Sequence, residues 1–289
     1  MFKKTKRFLS CALAACSIVA CAGTMTACET NNPEVEIQIE FDGTPYTLNY
    51  TLSRKVTPNT VKQFLWLAEG GFYDNTVIHD YDADASKMYA GLYDYVTEEG
   101  KDYYSQDKSY KAYFEAHKDT FNSSVFLTKG AENPLSTVYG EFKNNGYEVK
   151  SGALSESFGS LVMYYHEKNT EESIYVKRVD GDGYSSRQYE QNSATSMFYI
   201  SLSTSAKTQN AYCVFASLDE DDKVILEDLQ EAINEYVDDH YYGEMDDFTK
   251  STSVKVDAED HFVGKLDNVE LFNIPQMPII IRYVKVTKY

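Results

Sequence analysis

The stretch Val56-Thr57-Pro58-Asn59-Thr60-Val61-Lys62-Gln63-Phe64-Leu65-Trp66-Leu67-Ala68-Glu69-Gly70-Gly71-Phe72-Tyr73-Asp74-Asn75-Thr76-Val77-Ile78-His79-Asp80-Tyr81 decides the fold. Its first half carries the punctuation of a helix. Thr57 is the predicted N-cap, its hydroxyl placed to accept from an orphan N–H of the first turn. Pro58 takes the first helical position, where a missing N–H costs nothing. Val61, Phe64, Leu65 and Ala68 recur at helical spacing and make one apolar face. Gly70 and Gly71 supply a left-handed stop. Phe72 to His79 then reads as a turn leading into an extended segment.

On the N-terminal side, Val35 to Phe41 alternates strictly between apolar and polar residues, the mark of a half-buried strand. Asp42-Gly43-Thr44-Pro45 is a turn, and Tyr46, Leu48, Tyr50 and Leu52 alternate again, which predicts a hairpin. Farther on, Ile225, Leu229, Ile233 and Tyr236 recur at helical spacing within 224–237. Many short strands, two well-marked helices and no strand–helix–strand rhythm predict an all-β dominated barrel with helices over its ends.

The opening stretch resembles the cyclophilin family of peptidyl-prolyl isomerases. Their signature reads roughly A-P-x-T-V-x-N-F-x-x-L-x-x-x-G-F-Y-D-x-x-x-F-H-R. Pro58, Thr60, Val61, Phe64, Leu67, Gly71, Phe72, Tyr73, Asp74 and His79 fall in register with it. Further blocks follow: Val138 to Tyr147 is similar to I-x-G-E-F-x-x-N-G-F, Gly159 to Met163 to G-x-L-S-M, Asn192 to Ile200 to N-S-x-x-S-Q-F-F-I, and Tyr212 to Ala216 to H-x-V-F-G. The resemblance implies a closed antiparallel β-barrel capped by two helices over residues 35–289. It is interrupted by insertions at about 92–136, 166–191 and 238–272. Within the first insertion, Tyr110, Tyr113, Phe114 and His117 predict a short amphipathic helix.

In that family a prolyl amide is twisted over a barrier of about 20 kcal/mol, without metal or cofactor. An Arg donates hydrogen bonds to the substrate, while a Gln and backbone groups hold the rest of the peptide. Carried over residue by residue, His79 matches the His before that Arg, and Asp80 stands in the Arg position. An ionised Asp can only accept hydrogen bonds, so weak or absent turnover is expected. The resemblance assigns Met88 to a wall of the proline pocket and Tyr199 to its central aromatic. Met163 and Phe198 complete the pocket. Ala90 and Met197 replace the two Gln, Tyr212 replaces a rim His, and Lys207-Thr208 replace a Trp-Leu pair. Tyr164 and Tyr165 could fill the neighbouring pocket. Two functions follow from these assignments: a prolyl isomerase acting on secreted proteins, or the same barrel as a non-catalytic chaperone or adaptor gripping proline-containing or unfolded segments.

The N-terminus reads as a secretory leader. Lys3, Lys4, Lys6 and Arg7 precede an apolar run from Phe8 to Ala22, which is short for a spanning helix of about 20 residues. It resembles a bacterial lipoprotein signal, residues 1–27, with lipidation at Cys28, and residues 28–34 forming a linker. Cys21 is the rival site, and an uncleaved anchor is the remaining reading. The membrane is therefore an expected partner, and an extracytoplasmic, lipid-anchored monomer is expected. Cleavage before Cys28 leaves Cys213 without a partner, and its apolar surroundings predict a buried thiol. The formal net charge is −18, and the leader's four cations and no acids leave −22 for the rest. Such a surface repels nucleic acid and anionic headgroups. His79, His117, His166, His240 and His261 show no metal-ligand spacing. Asp180-Gly181-Asp182-Gly183 reads as an acidic turn rather than a calcium loop.

Overall fold

The structure is a computed structural model that describes residues 30–104, 106–121, 124–131, 135–148, 154–165, 173–178, 182–188, 193–205, 212–255 and 269–289. The leader, Cys28, His166, His261, Asp180, Gly181 and Lys207-Thr208 lie outside those residues. The strands in chain order are β1 Glu34–Phe41, β2 Thr44–Leu52, β3 Thr76–Val77, β4 Asp80–Asp82, β5 Lys87–Ala90, β6 Tyr93–Asp94, β7 Gln106–Asp107, β8 Val125–Phe126 and β9 Val138–Tyr139. They continue as β10 Leu161–Met163, β11 Ser173–Lys177, β12 Tyr184–Gln188, β13 Ser193–Ala194, β14 Phe198–Ser201, β15 Cys213–Leu218, β16 Thr249–Lys255, β17 Val269–Pro275 and β18 Ile279–Lys288. The helices are α1 Pro58–Glu69, α2 Tyr110–His117, α3 Lys223–Tyr241 and α4 Met245–Phe248.

Eleven strands form one sheet in the order β4-β5-β14-β10-β15-β2-β1-β18-β3-β6-β7. Val77 in β3 and Asp80 in β4 are three residues apart, within about 11 Å, yet β4 begins the order and β3 is ninth in it. The sheet must therefore curl back on itself. Among the described residues no ladder joins its two ends, so the expected closed barrel is observed as a strongly curled sheet. Its inner face carries Val35, Ile37 and Ile39 of β1, Leu161 and Met163 of β10, and Phe198 and Ile200 of β14, all in one core cluster with α1 and α3. Helix α3 contributes Leu226, Leu229, Ile233 and Val237. The edges of this apolar stripe differ from the predicted one, because Ile225 and Tyr236 sit half-buried at its margin.

Helix α1 starts differently from the prediction. The Thr57 hydroxyl makes no cap and instead donates to the Ser53 carbonyl at 3.2 Å. The cap is Glu141, from the G-E-F block: its carboxylate accepts from Asn59 N–H at 3.1 Å, Asn59 Nδ2 at 2.8 Å and Thr60 N–H at 2.9 Å. A negative charge at a helix N-terminus is favourable, and one side chain 82 residues away satisfies two orphan donors. At the other end the two glycines have separate reasons. Gly71 takes the left-handed conformation, φ +68°, whereas a Cβ on Gly70 would lie 1.6 Å from the Tyr113 hydroxyl oxygen of α2. Helix α2 is the predicted inserted helix, N-capped by Ser109 Oγ, which accepts from Ala112 N–H at 3.1 Å.

Burial pushes the Glu141 carboxyl up to about 7, against the amide donors that pull it down. Because folding raises this pKa above the ordinary 4.5, the group's contribution is full below about pH 4.5 and lost as pH rises through about 7. Relative to Glu141→Gln, the native chain is expected to lose about 1.4 kcal/mol of stability for each pH unit between those limits. Denaturant titrations of both proteins at several pH values check it, and parallel pH profiles would contradict it.

The second insertion supplies the β11–β12 hairpin, which pairs with β8 of the first insertion. The third supplies α4, β16 and the first half of β17, which pairs with β16. Cys213 is buried beside Thr60 Oγ1, 3.4 Å away, and burial pushes its thiol up to about 12.

Candidate functional site

The pairing of β4, β5, β14, β10 and β15 lines up Asp80, Tyr89, Tyr199, Val162 and Val214 in one row across the outer face of the sheet. Val162, Tyr199 and Val214 form a buried outer cluster, with Tyr89, Leu154 and Tyr212 packed against it. This row is the place where a proline pocket was expected. Met88, Ala90, Met163 and Phe198, assigned to that pocket from the sequence, alternate with the row and face the inner core instead. For Met88 and Ala90 the physical reason is the period of two: a one-residue slip in reading β5 moves every side chain to the opposite face. Met163 and Phe198 directly adjoin the outward Val162 and Tyr199 in their strands and so point inward. The outward residues of β5 are Lys87 and Tyr89.

Lys87 fills the centre of the row. Its ammonium stands 4.5 Å from the centroid of the Tyr199 ring, 5.4 Å from that of Tyr212 and 5.9 Å from that of Tyr89. Each distance is within the reach of a cation–π contact. The phenols of Tyr89 and Tyr199 are pushed above their usual range, first of all by burial. Tyr164 meets Tyr89 edge-on at 5.7 Å, whereas Tyr165 stacks on Phe142 away from the row. The aromatic cup is therefore occupied by Lys87, a residue that sequence reasoning did not single out.

A strand that begins in the third insertion and runs past its expected end at about 272 covers the end of the row. Asn273 N–H of β17 donates to Asp80 Oδ1 at 2.9 Å. Phe272 meets the His79 ring edge-on at 5.0 Å, and Tyr93 flanks His79 at 5.6 Å. His79 is fully buried. Met197 also faces outward, but it is buried with Phe272, Ile274 and Tyr93 in a second apolar cluster. Tyr103 of the first insertion donates its hydroxyl to the Pro275 carbonyl at the end of β17. Two insertions thus meet over His79 and Asp80.

The chemistry of this arrangement follows from its donors. Twisting a prolyl amide needs a donor aimed at the nitrogen and the carbonyl. At residue 80, where the resemblance assigns the Arg, the chain offers a carboxylate, and one of its oxygens already holds a backbone N–H of β17. Asp80 is a strut for the covering strand. No signal in the sequence marked Phe272 or Asn273 for this role, since both lie more than 190 residues from Asp80.

A family model described as "Cyclophilin type peptidyl-prolyl cis-trans isomerase/CLD" matches residues 35–250. No match was found among curated proteins. Among solved structures, a cyclophilin type peptidyl-prolyl cis-trans isomerase of Cryptosporidium parvum is 14% identical, with 89% of this chain and 99% of that one covered and a TM-score of 0.41. The same Cryptosporidium parvum protein crystallised in the presence of the dipeptide Ala-Pro gives 14% identity, the same coverage and a TM-score of 0.39. The matched region ends at residue 250, so the arm of the hairpin that covers Asp80 lies beyond it. From the family model and from the signature blocks laid along the curled sheet, the chain belongs to the cyclophilin-type peptidyl-prolyl cis-trans isomerases.

Proposed function

We propose that this chain is an extracytoplasmic member of the family, tethered by a lipid on Cys28, that works by binding and not by turnover. It serves as a chaperone or adaptor for unfolded or proline-containing segments of secreted proteins. The observation that carries this reading is the bond from Asn273 N–H to Asp80. It uses the catalytic position as an acceptor and lays a strand of the chain over it. A lysine over Tyr199 supports the absence of turnover, because it stands where a proline ring would have to enter. The leader sequence supports the location, and no helix of the described residues is long and apolar enough to cross a membrane.

The test has two arms. A spectrophotometric isomerase assay on an Ala-Pro tetrapeptide is expected to show turnover at least about a hundredfold below a cyclophilin that keeps its Arg, the scale set by losing one such donor. The same preparation is expected to suppress aggregation of a reduced, unfolded secreted protein. Ordinary cyclophilin turnover, or no effect on aggregation, refutes the reading.

A further inference from the structure

Two cavities of about 340 and 350 Å³ lie side by side at the start of α1 and share Pro58, Asn59, Lys177 and Arg178 in their walls. Arg187 adds a third cation to one, and Arg54 and Lys62 add two more to the other. Two acidic side chains, Glu69 and Glu148, face these five cations, in a chain whose net charge is −18. Among the described residues Lys177, Arg178 and Arg187 have no ion-pair partner. The cleft is a basic island on an acidic surface, and long-range repulsion elsewhere makes it the face on which an anion can approach.

Its position suggests which anion. Thr30 N–H donates to the Tyr289 carbonyl at 3.0 Å, and the Thr30 carbonyl accepts from Arg54 Nη1 at 2.8 Å. Arg54 and Tyr289 are both walls of the cleft. With the lipid on Cys28, as in the function proposed above, only Glu29 separates it from Thr30. At about 3.5 Å per residue, Thr30 stands within about 7 Å of the lipidated residue. That is inside the Debye length of about 8 Å at physiological salt, so Arg54, which holds the Thr30 carbonyl, senses the headgroup charge.

We propose that this cleft binds the phosphate headgroups of anionic lipids in the membrane that carries the chain, and thereby turns the start of α1 toward the bilayer. The tether supplies proximity and the cleft supplies orientation, while the acidic remainder of the body is pushed outward.

Trp66 is the chain's one tryptophan and lines the cleft, which makes it the probe. Full-length lipidated protein is reconstituted into phosphatidylcholine vesicles with and without phosphatidylglycerol, each doped with headgroup spin-labelled lipid. Quenching of Trp66 is expected to be strong only with phosphatidylglycerol, to fade at high salt, and to fall by about tenfold or more in Lys177→Glu/Arg178→Glu. The milder Lys177→Gln/Arg178→Gln pair serves if charge reversal prevents folding. Equal quenching in neutral vesicles, or quenching indifferent to both pairs, overturns the proposal. So does inorganic phosphate or an acidic peptide that shields Trp66 in solution while the vesicles leave it unchanged. The mass of the mature N-terminus reads the tether separately. A lipid on Cys28 without anionic quenching refutes the headgroup contact and leaves the tether standing, and an unmodified Cys28 removes both.

Discussion

Replacing Asp80 by Arg, to give the His-Arg pair that the sequence resemblance would place at residues 79 and 80, is expected to leave prolyl turnover at least about a hundredfold below that of an ordinary cyclophilin. A guanidinium at residue 80 provides donors, but four neighbours stay as they are. Lys87 still occupies the cup formed with Tyr199, 4.5 Å above the ring. Phe272 and Ile274 still lie on Met197 and beside His79. Tyr89 stands next to residue 80 in the row, and its phenol offers no paired amide donor and acceptor to a peptide backbone. The variant also breaks the bond from Asn273 N–H, and a hydrogen bond to a charged group is worth about 1.5–3 kcal/mol. The β16–β17 hairpin is then expected to loosen, which limited proteolysis or hydrogen exchange over 249–275 reports. Adding Lys87→Ala and Phe272→Ala to Asp80→Arg is expected to raise turnover above that of Asp80→Arg alone. The tetrapeptide assay separates the cases. Ordinary cyclophilin rates in Asp80→Arg alone would mean that the face is open in solution and that one residue was all that silenced it.

The two halves of this site differ in how far the sequence revealed them, and the difference is physical. Helix α1 could be read because its signals are local: Pro58 at the start, an apolar stripe, and Gly71 at a left-handed turn. Its cap could not, because the acceptor is Glu141 rather than the neighbouring hydroxyl, and only the fold brings that carboxylate to Asn59 and Thr60. Tyr199 could be placed from its block, but β5 could not. Between Asp82 and Lys87 the chain makes a tight turn with Ser86 at φ +57°, and the length of that turn sets which alternate residues face outward. The first half of the covering strand was legible only as the end of the insertion at about 238–272. Its apolar residues on the site, Phe272 and Ile274, are two positions of an alternating strand, too few to say what they bury against. A contact spanning 193 residues leaves no periodic trace.

Phe64→Ala is expected to cost about 3–5 kcal/mol, the range for emptying a fully buried phenyl ring. Phe64 is fully buried on α1 and meets three rings: Phe215 at 4.9 Å, Tyr73 at 5.1 Å and Phe198 at 5.4 Å. These come from β15, the turn after α1, and β14, so a single side chain ties the helix to two strands under the site and to the turn that leads toward His79. Edge-to-face ring pairs add about 0.5–1.5 kcal/mol each beyond area burial, and here the Phe64–Phe198 pair, at 88°, has that geometry. The neighbours cannot close the gap cheaply. Tyr73 is held by its hydroxyl on the Ser196 carbonyl at 3.0 Å, and Ser196 in turn bonds the Gly91 carbonyl at 2.8 Å. Gly91 has no room to adjust, since even a Cβ there would lie 2.3 Å from the Ser196 carbonyl oxygen. Denaturant unfolding at fixed pH measures the loss. Phe64→Leu keeps most of the volume and is expected to recover more than half of it. If Phe64→Ala cost less than about 1 kcal/mol, the ring would not be the pin between helix and sheet. The inward side of Tyr199's strand would then have to be held from somewhere else.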